Sequence, residues 1–218
     1  MSDIVKLTTR NKTALRDRAL VAILQGEVIV AAAEHGYLYL CDAFNPTAVS
    51  RLHQLRGDAP GTAAQVLIGK VSAVSGLAMD FDSDWQKVVN AFWPGLLTIQ
   101  LPPQAALNWD LGDGRALPEF AIRVPQRDFL LSVLGRSGPL AVASASLAGQ
   151  PPIRDISEVS ASPAEVAVQI DEGVLAEGPA STVLRRARSG SGIEASRIGA
   201  ISLEELQAVV PTISTPKP

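Results

Sequence analysis

The stretch Gly26 to Gly57 constrains this chain most, because it opens on an apolar β-type run, Val28-Ile29-Val30-Ala31-Ala32, that belongs in a buried strand. The residues that follow, Glu34, His35, Gly36 and two tyrosines, mix polar and apolar character and read as an irregular loop. Regular structure resumes at Asn45-Pro46. Asn45 is a good N-cap, and Pro46 at the first helical position loses no hydrogen bond, since that amide has no partner within a helix. Ala48, Val49, Leu52 and Leu55 then recur at helical spacing, which turns one face inward and leaves Arg51, Gln54 and His53 toward water. A buried strand that opens into a polar loop before a helix is a common place for a ligand site in an α/β protein.

The remainder repeats this alternation. The spacing predicts a helix over Thr13 to Gln25, stopped by Gly26, and strands at Gln65 to Ile68, Leu96 to Leu101, Phe120 to Val124, Leu140 to Ala143, Val166 to Ile170 and Ser181 to Leu184. Ser83 caps a helix carrying Trp85, Val88, Val89 and Phe92, which Pro94-Gly95 ends. Phe129, Leu130, Val133 and Leu134 mark another helix, and Ser202 with Glu205 forms a capping box for a last short one. Pro102 to Pro118 reads as a loop and Pro211 to Pro218 as a disordered tail. The expectation is an α/β fold in a single domain over residues 1–210.

Composition narrows the function. With 218 residues, 47% of them hydrophobic, the chain can bury an adequate core. Its formal charge of −3 gives no global attraction for nucleic acid or anionic membrane. Cys41 is the only cysteine, so there is neither an intrachain disulfide nor a zinc cluster. The N-terminus shows no apolar signal core and no run approaches the ~20 apolar residues of a membrane span, so the expected location is the cytoplasm. No P-loop, Rossmann fingerprint, metal-ligand cluster or nucleophile elbow is present.

Six segments, in one order, resemble the YrdC family of threonylcarbamoyl-AMP synthases. Ala32 to Ala43 aligns without a gap to the family's Pro-Thr-Asp-Thr-Val-Tyr-Gly-Leu-Gly-Cys-Asp-Ala, sharing Cys41-Asp42-Ala43 and the Asn45-Pro46 that follows. Phe92-Trp93-Pro94-Gly95-Leu96-Leu97-Thr98 is similar to Phe-Trp-Pro-Gly-Pro-Leu-Thr, and Arg123-Val124-Pro125 to Val-Arg-Val-Pro. Ser144-Ala145-Ser146-Leu147-Ala148-Gly149 resembles Ser-Ala-Asn-Leu-Ser-Gly, Ser181-Thr182-Val183 resembles Pro-Ser-Thr-Val, and Arg197-Ile198-Gly199-Ala200-Ile201 resembles Arg-Pro-Gly-Ala-Ile. The Trp93-Pro94-Gly95 corner is equally explained by packing and turn chemistry.

The resemblance implies a YrdC-like twisted mixed sheet with helices on its faces and an open cleft lined by the Glu34 to Tyr37 loop, the Arg56 turn, Ser144 to Ser146 and Ser181-Thr182. It implies the joining of L-threonine, bicarbonate and ATP into threonylcarbamoyl-AMP and pyrophosphate, with Mg²⁺ on the phosphates, for threonylcarbamoyl modification of tRNA adenosine. In it Arg56 is a phosphate clamp, Ser144, Ser146, Ser181, Thr182 and Arg197 hold the nucleotide, and Glu34, Tyr37 and Arg123 meet the substrate. Contact with tRNA or double-stranded RNA, and with proteins of the tRNA-modification pathway, belongs to the same implication.

Departures from the family pattern leave a second reading, a catalytically silent paralogue that binds nucleotide, RNA or a partner protein. Where family members carry Lys-Gly-Arg-Pro-Arg-Ser-Lys-Pro, this chain has Arg56-Gly57-Asp58-Ala59-Pro60-Gly61-Thr62-Ala63, keeping one cation in four and reversing one sign. A carboxylate in place of a cation near phosphate costs roughly 4 kcal/mol per contact pair at intermediate dielectric. Arg185, Arg186 and Arg188 are a candidate source of replacement charge, or else a solvated loop. His35 is a candidate acid or base, or a polar rim residue; Glu34 is a candidate Mg²⁺ ligand; Arg123 is either a substrate contact or the partner of a buried carboxylate.

Overall fold

The computed structural model describes residues 4–161, 165–187 and 192–216. In chain order the elements are β1 (Ile4–Lys6), α1 (Lys12–Leu24), β2 (Ile29–Ala32), β3 (Tyr37–Asp42), α2 (Pro46–Arg56), β4 (Gln65–Leu67), α3 (Val74–Leu77), α4 (Ser83–Phe92), β5 (Leu97–Leu101), β6 (Phe120–Arg123), α5 (Asp128–Ser137), β7 (Leu140–Ser144), β8 (Val168–Asp171), β9 (Thr182–Arg186), β10 (Ile193–Arg197) and α6 (Leu203–Val209). The strands form one mixed sheet in the order β1-β8-β2-β3-β7-β4-β6-β5-β9-β10. The α/β class expected from the alternation is the one found.

The unbroken apolar run in β2 follows from burial on both sides. Val28, Val30 and Ala32 enter one core with Val49 and Leu52 of α2, Trp85 and Val88 of α4 and Leu206 of α6. Ile29 and Ala31 point the other way, into a second core with Leu15, Ala19 and Ile23 of α1 and Phe129 and Val133 of α5. Each large side chain so buried contributes roughly 1.5–3 kcal/mol. Those gains offset the ordering of a long chain with few aromatics.

Four features differ from the sequence expectation. The loop expected after β2 is only the turn 33–36, closed by the Ala33 amide donating to the Gly36 carbonyl at 2.9 Å. Beyond it Tyr37 to Asp42 forms β3, antiparallel to β2 in the register Ile29 to Leu40 and Ala32 to Tyr37. Tyr and Leu in alternation are strong strand formers, and that tendency outweighs the scattered polar residues before them. Strands β1 and β10 are too short or too polar to announce themselves. Arg185 and Arg186 sit in β9 rather than in a loop: Arg185 Nε lies 2.6 Å from Glu194 Oε1, and Arg186 Nη1 lies 3.0 Å from Asp82 Oδ2. Their charge is therefore matched locally, while Arg188 lies outside the described residues. Finally, residues 211–216 are not a loose tail. Ile213 is 1% exposed, and Ser214 bonds the edge strand β10 through Ala195 N at 2.8 Å and Ile193 O at 3.2 Å. No helix among the described residues is long and apolar enough to cross a membrane.

Candidate functional site

Helix α2 delivers the first wall of the site. The Asn45 side chain accepts from the Ala48 amide at 3.1 Å, as its place before Pro46 suggests. At the other end Gly57 takes the left-handed conformation, φ +68°, and its amide bonds back to the carbonyls of Gln54 and His53. The last turn thus presents His53 and Arg56, and the reversal at Gly57 swings Asp58 beside both. Arg56 Nε is 3.2 Å from Asp58 Oδ1, and His53 Nδ1 is 2.8 Å from Asp58 Oδ2. The other ring nitrogen, Nε2, lies 2.8 Å from the Leu111 carbonyl.

His53 is therefore not turned to water as expected from its helical position. Its side chain is 13% exposed and that of Asp58 only 5%. Asp58, read from sequence as an isolated reversal of charge, is a shared counter-ion.

Strands β3, β4, β6 and β7 supply the floor. Gln65, Arg123, Ser144 and Arg56 line one cavity of about 230 Å³ with the apolar Leu38 and Val142. Arg123 is held by Glu34, whose Oε2 is 3.1 Å from Arg123 Nη2 and whose Oε1 accepts from the Gln126 amide at 2.7 Å. Burial pulls the Arg123 pKa below the usual guanidinium range and the Glu34 carboxylate pushes it back up. Arg123 thus does both things the sequence left open for it: it pairs a buried carboxylate and it faces the cleft. Glu34, the candidate Mg²⁺ ligand, is thus paired with Arg123 and the Gln126 amide. Among the described residues no group of three His, Cys, Asp or Glu side chains could hold one.

Three buried ionic atoms in this region lack hydrogen bonds: Arg56 Nε, Arg123 Nε and Glu34 Oε2. Arg56 Nε is within ion-pair distance of Asp58 without being aligned to donate to it, and Glu34 Oε2 stands in the same relation to Arg123. A buried donor without an acceptor costs about 1–3 kcal/mol.

A polar chain leads out of the cavity. Gln65 Nε2 donates to Thr98 Oγ1 at 3.3 Å, Thr98 Oγ1 is 3.0 Å from Ser181 Oγ, and Arg197 Nη2 donates to Ser181 Oγ at 3.1 Å. Ser144 Oγ and Ser146 Oγ are 2.8 Å apart on the cleft side of β7. So Arg56, Arg123 and Ser144 come together, with Ser146, Ser181 and Arg197 reached through short polar links.

Three expected residues have other partners. Thr182 is 0% exposed; its hydroxyl donates to the Ile201 carbonyl at 2.7 Å and accepts from the amides of Gly199 and Ile201, both at 2.9 Å. That hydroxyl fastens β9 to the segment between β10 and α6 and has nothing left for a nucleotide. Tyr37 is also 0% exposed, donating to the Gly173 carbonyl at 2.8 Å and accepting from the Glu172 amide at 3.0 Å. Burial raises its pKa to about 12, despite the hydrogen bond from Glu172. His35 Nδ1 donates to the Ala176 carbonyl at 3.0 Å, and its ring packs so close to Gly178 that a Cβ there would lie 2.2 Å from Nε2. It holds the irregular segment after β8 and is not among the residues lining the cavity.

Sequence reasoning missed His53, Gln65, Thr98 and Arg127. Arg127 fixes the Glu34 turn by donating from Nε to the Ala33 carbonyl at 2.8 Å and from Nη2 to the Glu34 carbonyl at 3.3 Å. A glutamine opening an otherwise apolar strand, as in Gln65-Val66-Leu67-Ile68, was a usable signal; the others depend on residues distant in the chain.

Comparison with known proteins places this geometry. Residues 21–199 match the model of the Sua5/YciO/YrdC family, described as telomere recombination. A protein of Mycobacterium leprae, provisionally named a threonylcarbamoyl-AMP synthase, is 30% identical over 195 residues, 88% of each chain. The threonylcarbamoyl-AMP synthase of Alkalilimnicola ehrlichii is 32% identical over 197 residues, covering 87% of this chain and 100% of its own. Sua5 of Pyrococcus abyssi, solved in complex with L-threonine, superposes with a TM-score of 0.84 at 24% identity, over 97% of this chain and 61% of its own length. The present chain thus spans about 61% of that archaeal protein.

Proposed function

We propose, from the premise that this chain belongs to the Sua5/YciO/YrdC family, that its cleft joins L-threonine, bicarbonate and ATP into threonylcarbamoyl-AMP and pyrophosphate. The observation that carries the reading is that two arginines, Arg56 and Arg123, line one cavity together with Ser144. The names of the relatives supply the chemistry; the arginines supply what it requires.

In that reaction the threonine nitrogen first bonds to the carbon of bicarbonate, a C–O bond breaks, water leaves, and a carbamate results. A carbamate oxygen then attacks the α-phosphorus of ATP, the bond to the bridging oxygen breaks, and its electron pair leaves with pyrophosphate. Two anions approach each other, so fixed cations and donors do most of the work. Arg56 meets the phosphates and Arg123, already opposed by Glu34, meets an anionic group of the other substrate. Ser144 and Ser146 are hydroxyl donors at the cleft wall, and the Ser181–Arg197 link receives the rest of the nucleotide. Mg²⁺ enters bound to the ATP phosphates, as part of the substrate. The product then passes to tRNA, which makes contact with tRNA and with its modification proteins part of the same proposal.

The test is mass spectrometry of the purified chain with ATP, Mg²⁺, bicarbonate and L-threonine. Threonylcarbamoyl-AMP and pyrophosphate should appear together, depend on threonine, and disappear in Arg56→Ala. A second reading, a nucleotide-binding paralogue without the chemistry, is favoured by Asp58, which sits against the one cation retained in its turn. ATP binding without product would select it.

A further inference from the structure

We propose that His53 and Asp58 are positioning residues that govern how strongly Arg56 holds an anion, with His53 neutralising Asp58 when its ring carries both protons. The inference rests on the reading that this cleft receives the phosphates of ATP.

Both ring nitrogens of His53 face oxygens that have no proton to offer. Nε2 lies 2.8 Å from the Leu111 carbonyl, which can only accept. Nδ1 lies 2.8 Å from the Asp58 carboxylate. A neutral ring, in either tautomer, sets its lone pair against one of these oxygens; a charged ring satisfies both contacts.

The ring cannot easily turn away. A Cβ on Gly112, at φ +103°, would come within 2.2 Å of Nε2, so the backbone of that loop lies directly on the imidazole. The Leu111 carbonyl also accepts from the Ala64 amide at 2.8 Å, tying the same loop to the start of β4.

Asp58 divides its two oxygens between His53 and Arg56. While the imidazole is charged, the carboxylate is neutralised from one side and Arg56 is left with charge to offer. With a neutral ring the carboxylate is balanced by Arg56 alone, and the cleft has one positive charge fewer to offer the phosphates. His53 and Asp58 also line a neighbouring cavity of about 350 Å³, through which protons reach the ring. The charged groups facing His53 are Asp58 and Arg56 from its own helix and turn, Asp110 from the loop opposite, and Arg123 of β6 across the smaller cavity. Asp110 Oδ1 is engaged by the amides of Gly112 at 2.9 Å and Gly114 at 3.0 Å.

Calorimetric titration of the full chain with ATP, at about pH 6 and about pH 8, tests this in the wild type, His53→Gln, Asp58→Asn and the double variant. One unit charge acting at the bulk-water dielectric of an open cleft corresponds to about a fivefold change in affinity. His53→Gln should bind about fivefold more weakly than wild type at the lower pH and equal it at the higher, protonation of ATP itself being common to both. Asp58→Asn, with the shape kept and the charge removed, should bind more tightly than wild type at the higher pH, and the double variant should recover the affinity lost in His53→Gln. A purely structural role for the pair makes both single variants weaker with a wild-type pH profile, and that result overturns the proposal. Should His53→Gln fail to fold, the direction of the Asp58→Asn effect decides. A wild type that binds no ATP at either pH removes the ATP reading and this inference with it; one that binds equally well in all four forms removes this inference alone.

Discussion

Two sets of polar groups, one spread through the sheet at Thr182, Tyr37 and Trp93 and one at the cleft at Arg56, Arg123 and Glu34, are satisfied very differently. Thr182 spends its hydroxyl on three backbone groups, Tyr37 on two, and the Trp93 indole donates to the Leu97 carbonyl at 2.6 Å. Arg56, Arg123 and Glu34, by contrast, keep buried atoms with no hydrogen bond. Both sets carry residues that resemble family motifs. The closed set holds the fold together, and Arg56 and Arg123 of the open set line the cleft. Motif resemblance does not distinguish them; the partners that each side chain meets do.

The sharpest way to break this comparison is at Arg123. Arg123→Met leaves Glu34 as an uncompensated buried charge and should cost roughly 3–5 kcal/mol in urea unfolding, with Glu34→Gln in the same chain recovering most of it. A loss below ~1 kcal/mol would mean that the pair is solvated. Thr182→Val should cost about 2–3 kcal/mol by stranding the amides of Gly199 and Ile201, while ATP affinity of the folded protein stays as in wild type. Weaker ATP binding at unchanged stability would instead move Thr182 into the site.

Alkaline titration tests the closed set in another way. The Tyr37 pKa is raised from 10.0 to about 12 and that of Cys41 from 9.0 to about 12, in both cases chiefly by burial. The unfolded chain releases these protons first, so their contribution is complete below about pH 9 and is lost as pH rises toward 12. Stability should fall through that window, and Tyr37→Phe should make the fall shallower above pH 10 while costing about 1–2 kcal/mol at neutrality through the lost hydrogen bonds. An unchanged slope would show that Tyr37 is solvated. The smallest stability effect belongs to Arg56→Ala, with a side chain 30% exposed: below about 1 kcal/mol in unfolding, yet at least about tenfold in product formation. Equal activity would place the phosphates elsewhere.

The fold was legible wherever a signal was local. The two-sided burial of β2, the Asn45-Pro46 start of α2, the corner after Phe92 and the Ser202–Glu205 capping box all follow from a few adjacent residues. The site was legible only in part. His53 lies next to Leu52 on α2 and is covered by Leu111 and Gly112, more than fifty positions away, a burial that helical spacing cannot report. Thr182 matched a family motif, but the backbone amides that occupy its hydroxyl return only at Gly199 and Ile201. Arg185 and Arg186 looked like spare charge because Glu194 and Asp82, which answer them, are contributed by other elements.

Helix α2 enters the cleft by its C-terminal end, the last turn carrying His53 and Arg56. An anion arriving there meets the negative pole of the peptide dipoles, where an N-terminal approach would have offered amides. Whatever attraction this pocket has for phosphate is held in ionisable side chains and none of it in that helix's backbone. Attraction of that kind is adjustable by salt, by protons and by single-codon change, so that a lineage can gain or lose it while the scaffold stays the same.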